Sequence, residues 1–154
     1  MDRRTRTLVV MMAAACAAAL WALLANAWLI GHDRIGLLGV EMCADYCQVQ
    51  SWSDLHAPRE MLWLGGLTVL GIVHTVGFAI HAIVNVRRGR SERVRRAWTI
   101  ASAASTIVPG VIFLVRAKAA LPGEAATLGY APVLAFASVV LLAVLVVALP
   151  RSST

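Results

Sequence analysis

The sequence predicts an α-helical membrane protein, a bundle of four transmembrane helices, and the segregation of its charges carries this prediction. Of the 154 residues, 60% are hydrophobic and 14% are charged. Four long stretches hold no charged residue at all: 8–31, 61–86, 97–115 and 125–150. Each is close to the ~20 residues that cross the hydrocarbon core of a bilayer as a helix. Unbroken apolar runs exclude barrel strands, which are shorter and alternate.

The basic residues predict the orientation. Arg3, Arg4 and Arg6 precede the first apolar stretch, and Arg151 follows the last. The connection between the second and third stretches holds six more, Arg87, Arg88, Arg90, Arg93, Arg95 and Arg96. Positive charge in short loops marks the cytoplasmic side. We therefore expect a multi-pass protein of the plasma membrane or the bacterial inner membrane with both termini cytoplasmic. The six arginines should contact anionic lipid headgroups, and because the positive charge sits at membrane edges we expect no nucleic-acid partner.

Helix one is predicted over about 8–30. Its basic start and the sequence Ala25-Asn26-Ala27 resemble a signal peptide, but the apolar run continues to Gly31, which favours a retained spanning helix. Trp28 would lie in the outer aromatic belt. Asn26 is the strongly polar residue of this helix, and we expect it to make an interhelical or interfacial hydrogen bond.

The outer loop, 31–57, is predicted to contain a β-hairpin. Two runs of strand type, 37–43 and 47–52, flank the three-residue link Ala44-Asp45-Tyr46. Cys43 and Cys47 close the two ends of this link. Pro58 then opens helix two, since proline is tolerated in a first turn.

Helix two, about 58–86, carries a stripe of small and polar residues. Gly71, His74, Gly77, His81 and Asn85 fall within about 60° of a common line at 100° per residue. Because acyl chains offer no hydrogen bond to a polar side chain, this stripe is predicted to face other helices.

Helix three is predicted over about 97–115 and helix four over about 126–149. Pro109-Gly110 predicts a kink in helix three, and Pro122-Gly123 turns a short second outer loop. The whole chain, 1–154, is expected to form one transmembrane domain.

The cysteines allow three interpretations. Facing one another across a tight hairpin, Cys43 and Cys47 could reach disulfide geometry and act as a structural staple. They could instead be a redox-active pair, although the second outer loop offers no second pair to relay electrons. A metal site with His32 and His56 is a third reading, but the spacing is not diagnostic.

His74 and His81 are the candidates for intramembrane chemistry, because ionisable residues within a membrane are often functional. We expect neutral imidazoles bonded to Ser or Thr of a facing helix. Haem or metal binding is the alternative, although two histidines of one helix cannot supply both axial ligands of one haem. Apart from Glu60 in the first turn of helix two, no carboxylate lies within a predicted helix, and no catalytic triad, phosphate loop or zinc-protease motif occurs. We therefore expect no enzymatic activity, no cofactor and no resident metal.

One family resemblance follows from the outer loop. Trp28 ends helix one, Gly36-Leu37-Leu38 opens the loop, Cys43 and Cys47 follow, and Trp52 lies before helix two. This pattern resembles the superfamily of claudins, peripheral myelin proteins and epithelial membrane proteins. The corresponding motif of that superfamily is Gly-Leu-Trp, so Leu38 stands where the superfamily has a tryptophan, and the two cysteines of the superfamily lie farther apart. The resemblance implies a left-handed four-helix bundle capped by a small extracellular sheet, with a disulfide between Cys43 and Cys47.

The sequence as a whole predicts a non-enzymatic membrane scaffold, adhesion protein or accessory protein. It would act through its helix faces and its stapled outer loop, on other membrane proteins or on further copies of itself. The competing functions are an accessory subunit of a membrane redox complex, with haem or metal near His74 and His81, and a thiol–disulfide oxidoreductase using Cys43 and Cys47.

Overall fold

The computed structural model describes residues 3–31, 33–43, 46–54, 58–88, 93–119 and 127–149. These residues form four α helices, which are α1 (Arg3–Leu24), α2 (Arg59–Arg87), α3 (Arg93–Ala119) and α4 (Tyr130–Ala148). They also form five short strands, β1 (Leu29–Ile30), β2 (Arg34–Ile35), β3 (Gly39–Cys43), β4 (Cys47–Ser51) and β5 (Thr127–Leu128). Each of the four helices is long and apolar enough to cross a membrane.

The helices form a bundle in which α2 packs chiefly on α3, and α1 chiefly on α4. Small side chains allow the close approach of α1 and α4, because Ala19 and Ala22 of α1 and Ala131 and Ala135 of α4 are completely buried. Further contacts join α1 to α2, α3 to α4 and α2 to α4. Small residues therefore line the contact between α1 and α4.

Buried hydroxyl groups of α2 and α3 find their partners within their own helices. Thr68, Thr75 and Thr106 each donate to the backbone carbonyl four residues earlier, at 2.8–2.9 Å. This back-bonding satisfies a polar group where no water is present. These threonines consequently pack as small residues without demanding a polar partner across the helix interface.

Helices α1 and α4 stop short of their predicted bounds on the side of the sheet, for one physical reason. Helix α1 ends at Leu24 instead of about 30, and α4 begins at Tyr130 instead of about 126. In both places the apolar residues that prolong the predicted helix form strands: Leu29 pairs with Leu128 in the sheet. Apolar composition alone does not separate a buried strand from the end of a helix.

The sheet is larger than the predicted hairpin. The hairpin itself is confirmed, since β3 and β4 pair with Cys43 directly opposite Cys47. The full antiparallel order is β4-β3-β2-β1-β5, so the sheet also takes a strand from the segment between α3 and α4. The prediction of a hairpin confined to the first loop was therefore wrong in extent.

Candidate functional site

The indole of Trp28 lies where the sheet joins the bundle. Its side chain is 0% exposed, and its Nε1–H donates to the Ala22 carbonyl at 3.1 Å. That carbonyl belongs to the last turn of α1, where acceptors lack helical partners. The ring also makes edge-to-face contacts with Phe113 of α3 (6.1 Å between ring centres) and Phe136 of α4 (5.8 Å). The expected place for Trp28 in an exposed aromatic belt is therefore wrong.

Trp52 fixes the other end of the loop to the same aromatic cluster. Its Nε1–H donates to the Leu37 carbonyl at 3.0 Å, and its ring lies edge-to-face on Phe113 at 6.0 Å. The backbone of Leu37 in turn presses on Gly65 of α2, where a Cβ would meet the Leu37 carbonyl oxygen. Only glycine at position 65 allows the loop to approach α2 so closely.

Gly36 and Leu38 complete the loop motif and behave differently from one another. A Cβ on Gly36 would meet the side-chain oxygen of Asn26, so a larger residue at position 36 would displace the Asn26 side chain. Leu38 is 55% exposed and lies outside the aromatic cluster. The structure thus brings together Trp28, Gly36, Leu37 and Trp52, and leaves Leu38 at the surface.

The cysteines divide into two groups. Cys16 is buried within α1 and is a free thiol. Cys43 and Cys47 are direct partners in the β3–β4 register. Directly opposed residues of an antiparallel pair have Cα atoms ~4.5–5.5 Å apart, which lies within the range that a disulfide spans.

Two members of the predicted helix-two stripe face the bundle. Gly71 packs on α3 so closely that a Cβ would lie 2.9 Å from the backbone of Thr106. Asn85 is 2% exposed, and its side-chain amide lies 3.1 Å from Nδ1 of His81. These two residues therefore form part of the packing of this chain.

The other three members, His74, Gly77 and His81, are exposed. A Cβ on Gly77 would have no neighbour within 4 Å. The Nδ1 atom of His74 lies 2.8 Å from the Leu70 carbonyl, so the expected bond to a facing Ser or Thr is wrong. The stripe is divided because it lies at the edge of the face that α2 buries against the other helices. At ~100° per residue, Gly71 and Asn85 are the members nearest to this buried face, and Gly77 is the member farthest from it.

The outward face of α2 is extended by a groove and by aromatic rings. The groove lies between α2 and α3, has a volume of about 590 Å³, and includes Leu67, His74 and Pro109 in its lining. Toward the arginine-rich end, the ring of Phe78 stacks between His74 and Trp98 of α3, with ring centres 6.4 Å apart on each side. We refer to His74, Gly77 and His81 as the outward stripe.

The predicted arginine patch is described only in part. Arg88 is exposed beyond the last turn of α2. Arg96 is half-buried and donates from Nη2 to the Leu149 carbonyl at the end of α4, at 2.8 Å, where a cation complements the helix dipole. Arg96 therefore joins two helix ends and is not simply a headgroup contact. Arg90 lies outside the described residues, and Arg87, Arg93 and Arg95 are described only as backbone.

A second cavity, of about 270 Å³, lies at the end of the bundle that carries the sheet. It is lined by Asn26, Ala27, Ile30, Arg34, Glu41 and Tyr130. Arg34 and Glu41 face one another across β2 and β3, with Nη1 and Oε2 4.0 Å apart. This cavity could not be predicted from the sequence, because its residues come from three separated segments.

Among the described residues, no group of three His, Cys, Asp or Glu is placed to hold a metal ion. His32 and His56, which the metal reading of the cysteines requires, lie outside the described residues. The described residues thus offer packing surfaces, a largely apolar groove and one smaller cavity with polar lining residues, and their fold is a four-helix bundle with a five-stranded sheet at one end. The chain matches no protein-family model and no curated protein.

Proposed function

We propose that this protein is a non-enzymatic membrane scaffold or accessory protein that binds another transmembrane protein, or a second copy of itself, through the outward stripe of α2. The observation that carries the proposal is the exposure of His74, Gly77 and His81 on a helix suited to spanning a membrane. All three lie on a face that the chain's own helices do not cover.

Lipid is a poor environment for that face. An imidazole in hydrocarbon gains nothing from acyl chains, whereas an interhelical hydrogen bond contributes about 1–2 kcal/mol in model peptides. Gly77 leaves space for a partner backbone, because among the described residues nothing outside the adjacent helix backbone lies within 4 Å of where its Cβ would be. A transmembrane helix packed on the stripe would satisfy both histidines and fill that space.

The sheet supplies a second contact surface in this proposal. It caps the bundle end opposite to Arg88 and Arg96, and we place it outside the cell with both termini in the cytoplasm. Trp28 and Trp52 hold it on the bundle, so a partner bound outside would be positioned relative to one bound in the membrane. This division of roles agrees with membership in the claudin and peripheral myelin superfamily, which we retain as part of the proposal.

A disulfide between Cys43 and Cys47 would staple this surface. The direct pairing of the two residues in the β3–β4 register supports it, and an oxidising outer compartment would maintain it. A staple suits a short hairpin at the sheet edge, since two-stranded hairpins are only marginally stable in water.

The test is photo-crosslinking from α2 in native membranes. A photoreactive amino acid at Val73, an exposed position one turn before Gly77, should give a protein adduct of defined mass. The mass distinguishes a second copy from another membrane protein. The same probe at Val144, an exposed position of α4, is the matched control and should give none.

Introducing Gly77→Leu into the Val73 probe variant should remove the adduct, because the larger side chain fills the space the partner needs. The thermal stability of the isolated chain should not fall, since position 77 has no neighbour within it. Lipid adducts alone at both positions, or a protein adduct unaffected by Gly77→Leu, would contradict the proposal.

A second function is favoured by the same exposure. Because His74 and His81 are exposed on the outward stripe, each is accessible to a haem or metal held by a neighbouring subunit of a membrane redox complex. The absorption spectrum and metal content of the copurified complex decide this: a Soret band that changes in His74→Ala or His81→Ala supports it, and a complex without haem or metal excludes it.

A further inference from the structure

We propose that the cavity beneath the sheet binds the zwitterionic headgroup of a phospholipid with a free ammonium group, of the phosphatidylethanolamine type. The cavity lies between the end of α1, the start of α4 and strands β2 and β3. Because the four helices are suited to spanning a membrane, the level at which α1 ends and α4 begins is the level of the headgroups.

The charges of the cavity match a zwitterion. Arg34 and Glu41 lie opposite one another, yet the 4.0 Å between Nη1 and Oε2 is too long for a hydrogen bond. A phosphate bound to Arg34 and an ammonium bound to Glu41 would replace this loose pair with direct charge-assisted hydrogen bonds. Asn26 and Tyr130, whose side chains carry an amide and a hydroxyl, also line the cavity.

Arg34 and Glu41 differ in solvent exposure, and this difference suits a zwitterionic headgroup. Arg34 is 62% exposed at its side chain and Glu41 is 23% exposed. A carboxylate that is mostly withdrawn from water gains more from a small ammonium donor than an exposed one does. Trimethylation of the ammonium removes every donor and enlarges the group, so a choline headgroup should bind less well.

The size and surroundings of the cavity fit a headgroup with its chains outside. Its volume of about 270 Å³ is below the ~300–1,000 Å³ of pockets that enclose whole drug-sized ligands. Below Tyr130, an exposed apolar track continues along the same face of α4 through Val133, Ala137 and Val140. Acyl chains can follow this track into the bilayer while the headgroup remains in the cavity.

The chain contains a matched control for this site. Arg116 and Glu60 also form a loose pair, with Nε and Oε2 3.9 Å apart, at the same end of the bundle. Their side chains are 63% and 67% exposed, and neither lines the cavity. Glu60→Gln therefore removes an equivalent charge without touching the proposed site.

The experiment is native mass spectrometry of the delipidated protein in detergent, mixed with equal amounts of dioleoyl phosphatidylethanolamine, phosphatidylglycerol and phosphatidylcholine. The unaltered protein should retain phosphatidylethanolamine at least about tenfold better than the other two. Glu41→Gln should lower that preference at least about fivefold, and Glu60→Gln should leave it within twofold.

A lipid series keeps the proposal testable if Glu41→Gln weakens the sheet. For the unaltered protein, retention should fall stepwise from phosphatidylethanolamine through its mono- and dimethyl derivatives to phosphatidylcholine, as donors are lost. Equal retention along this series, or a preference that survives Glu41→Gln in folded protein, would overturn the proposal and leave Arg34 and Glu41 as a cross-strand pair only.

Discussion

At the scale of single residues, Trp28 decides how the outer segment is attached. Its indole touches α3 and α4 through Phe113 and Phe136, and it occupies a backbone acceptor of α1. We expect Trp28→Ala to lower the free energy of unfolding by about 3–5 kcal/mol, as for other buried aromatic truncations. Reversible unfolding in mixed detergent micelles measures this change.

Trp21 provides the control for that measurement. It lies on α1, is 63% exposed, and faces away from the bundle. Trp21→Ala should change the free energy of unfolding by no more than about 0.5 kcal/mol. Equal losses for the two variants would mean that Trp28 is not the anchor described above.

The sequence motif included Trp28 and Trp52, but their buried positions could not be predicted from it. Composition shows that an indole sits near the end of an apolar stretch, and both an interfacial belt and a buried cluster satisfy that pattern. The difference depends on Phe113 and Phe136, which lie more than 80 residues farther along the chain than Trp28. Such long-range contacts leave no local trace.

At the scale of elements, the glycines of α2 separate its two faces. Gly71→Ala should destabilise the bundle by about 1–3 kcal/mol, because the added Cβ would meet the backbone of Thr106 at 2.9 Å. Backbone atoms cannot turn aside as a flexible side chain can. Thermal denaturation of the detergent-solubilised chain measures the effect.

Gly77→Ala is the matched control, since its Cβ enters open space. This variant should be neutral or up to about 1 kcal/mol more stable, because alanine is the better helix former. If Gly77→Ala destabilised the monomer as much as Gly71→Ala, the outward orientation of the stripe would be wrong.

The hairpin carries a prediction about oxidation state. Under denaturing conditions without reductant, alkylation should modify one cysteine, Cys16, and after reduction it should modify all three. Replacing both Cys43 and Cys47 by serine should lower the free energy of unfolding by about 2 kcal/mol, the loop entropy of a five-residue ring.

Cys16→Ala is the control for the alkylation count, and it should shift the two values to zero and two. Three modified cysteines in unreduced protein would show that no staple is present. The paired register of Cys43 and Cys47 would then reflect the hairpin alone.

An element could be predicted from the sequence where the segments that form it are close together in the chain. The β3–β4 hairpin was predictable because both strands and their link lie within 39–51. Strand β5 was not, since Thr127 and Leu128 become a strand only by pairing with β1, almost a hundred residues earlier. Helical periodicity predicted that the residues of the outward stripe lie on one face of α2. Periodicity does not predict which helix, if any, packs on that face.

At the scale of the whole molecule, helix lengths and charges support one arrangement in the membrane. Helix α2 has 29 residues, about 44 Å at 1.5 Å per residue, and α4 has 19, about 29 Å. The shortest of the four helices therefore comes within about 1–2 Å of the ~30 Å hydrocarbon core, and 19 residues lie within the ~17–25 that span it. Arg88 and Arg96 lie at one end of the bundle and the sheet at the other, so the two ends should face different compartments.

Labelling of single cysteines in intact cells tests this arrangement most directly. In a background with Cys16→Ala, Cys43→Ser and Cys47→Ser, a membrane-impermeant maleimide should label Ser53→Cys before α2 and Lys118→Cys at the end of α3. It should label Arg88→Cys only after the membrane is opened, because one crossing of α2 separates positions 53 and 88. Labelling of all three from outside, or of Arg88→Cys alone, would contradict the account.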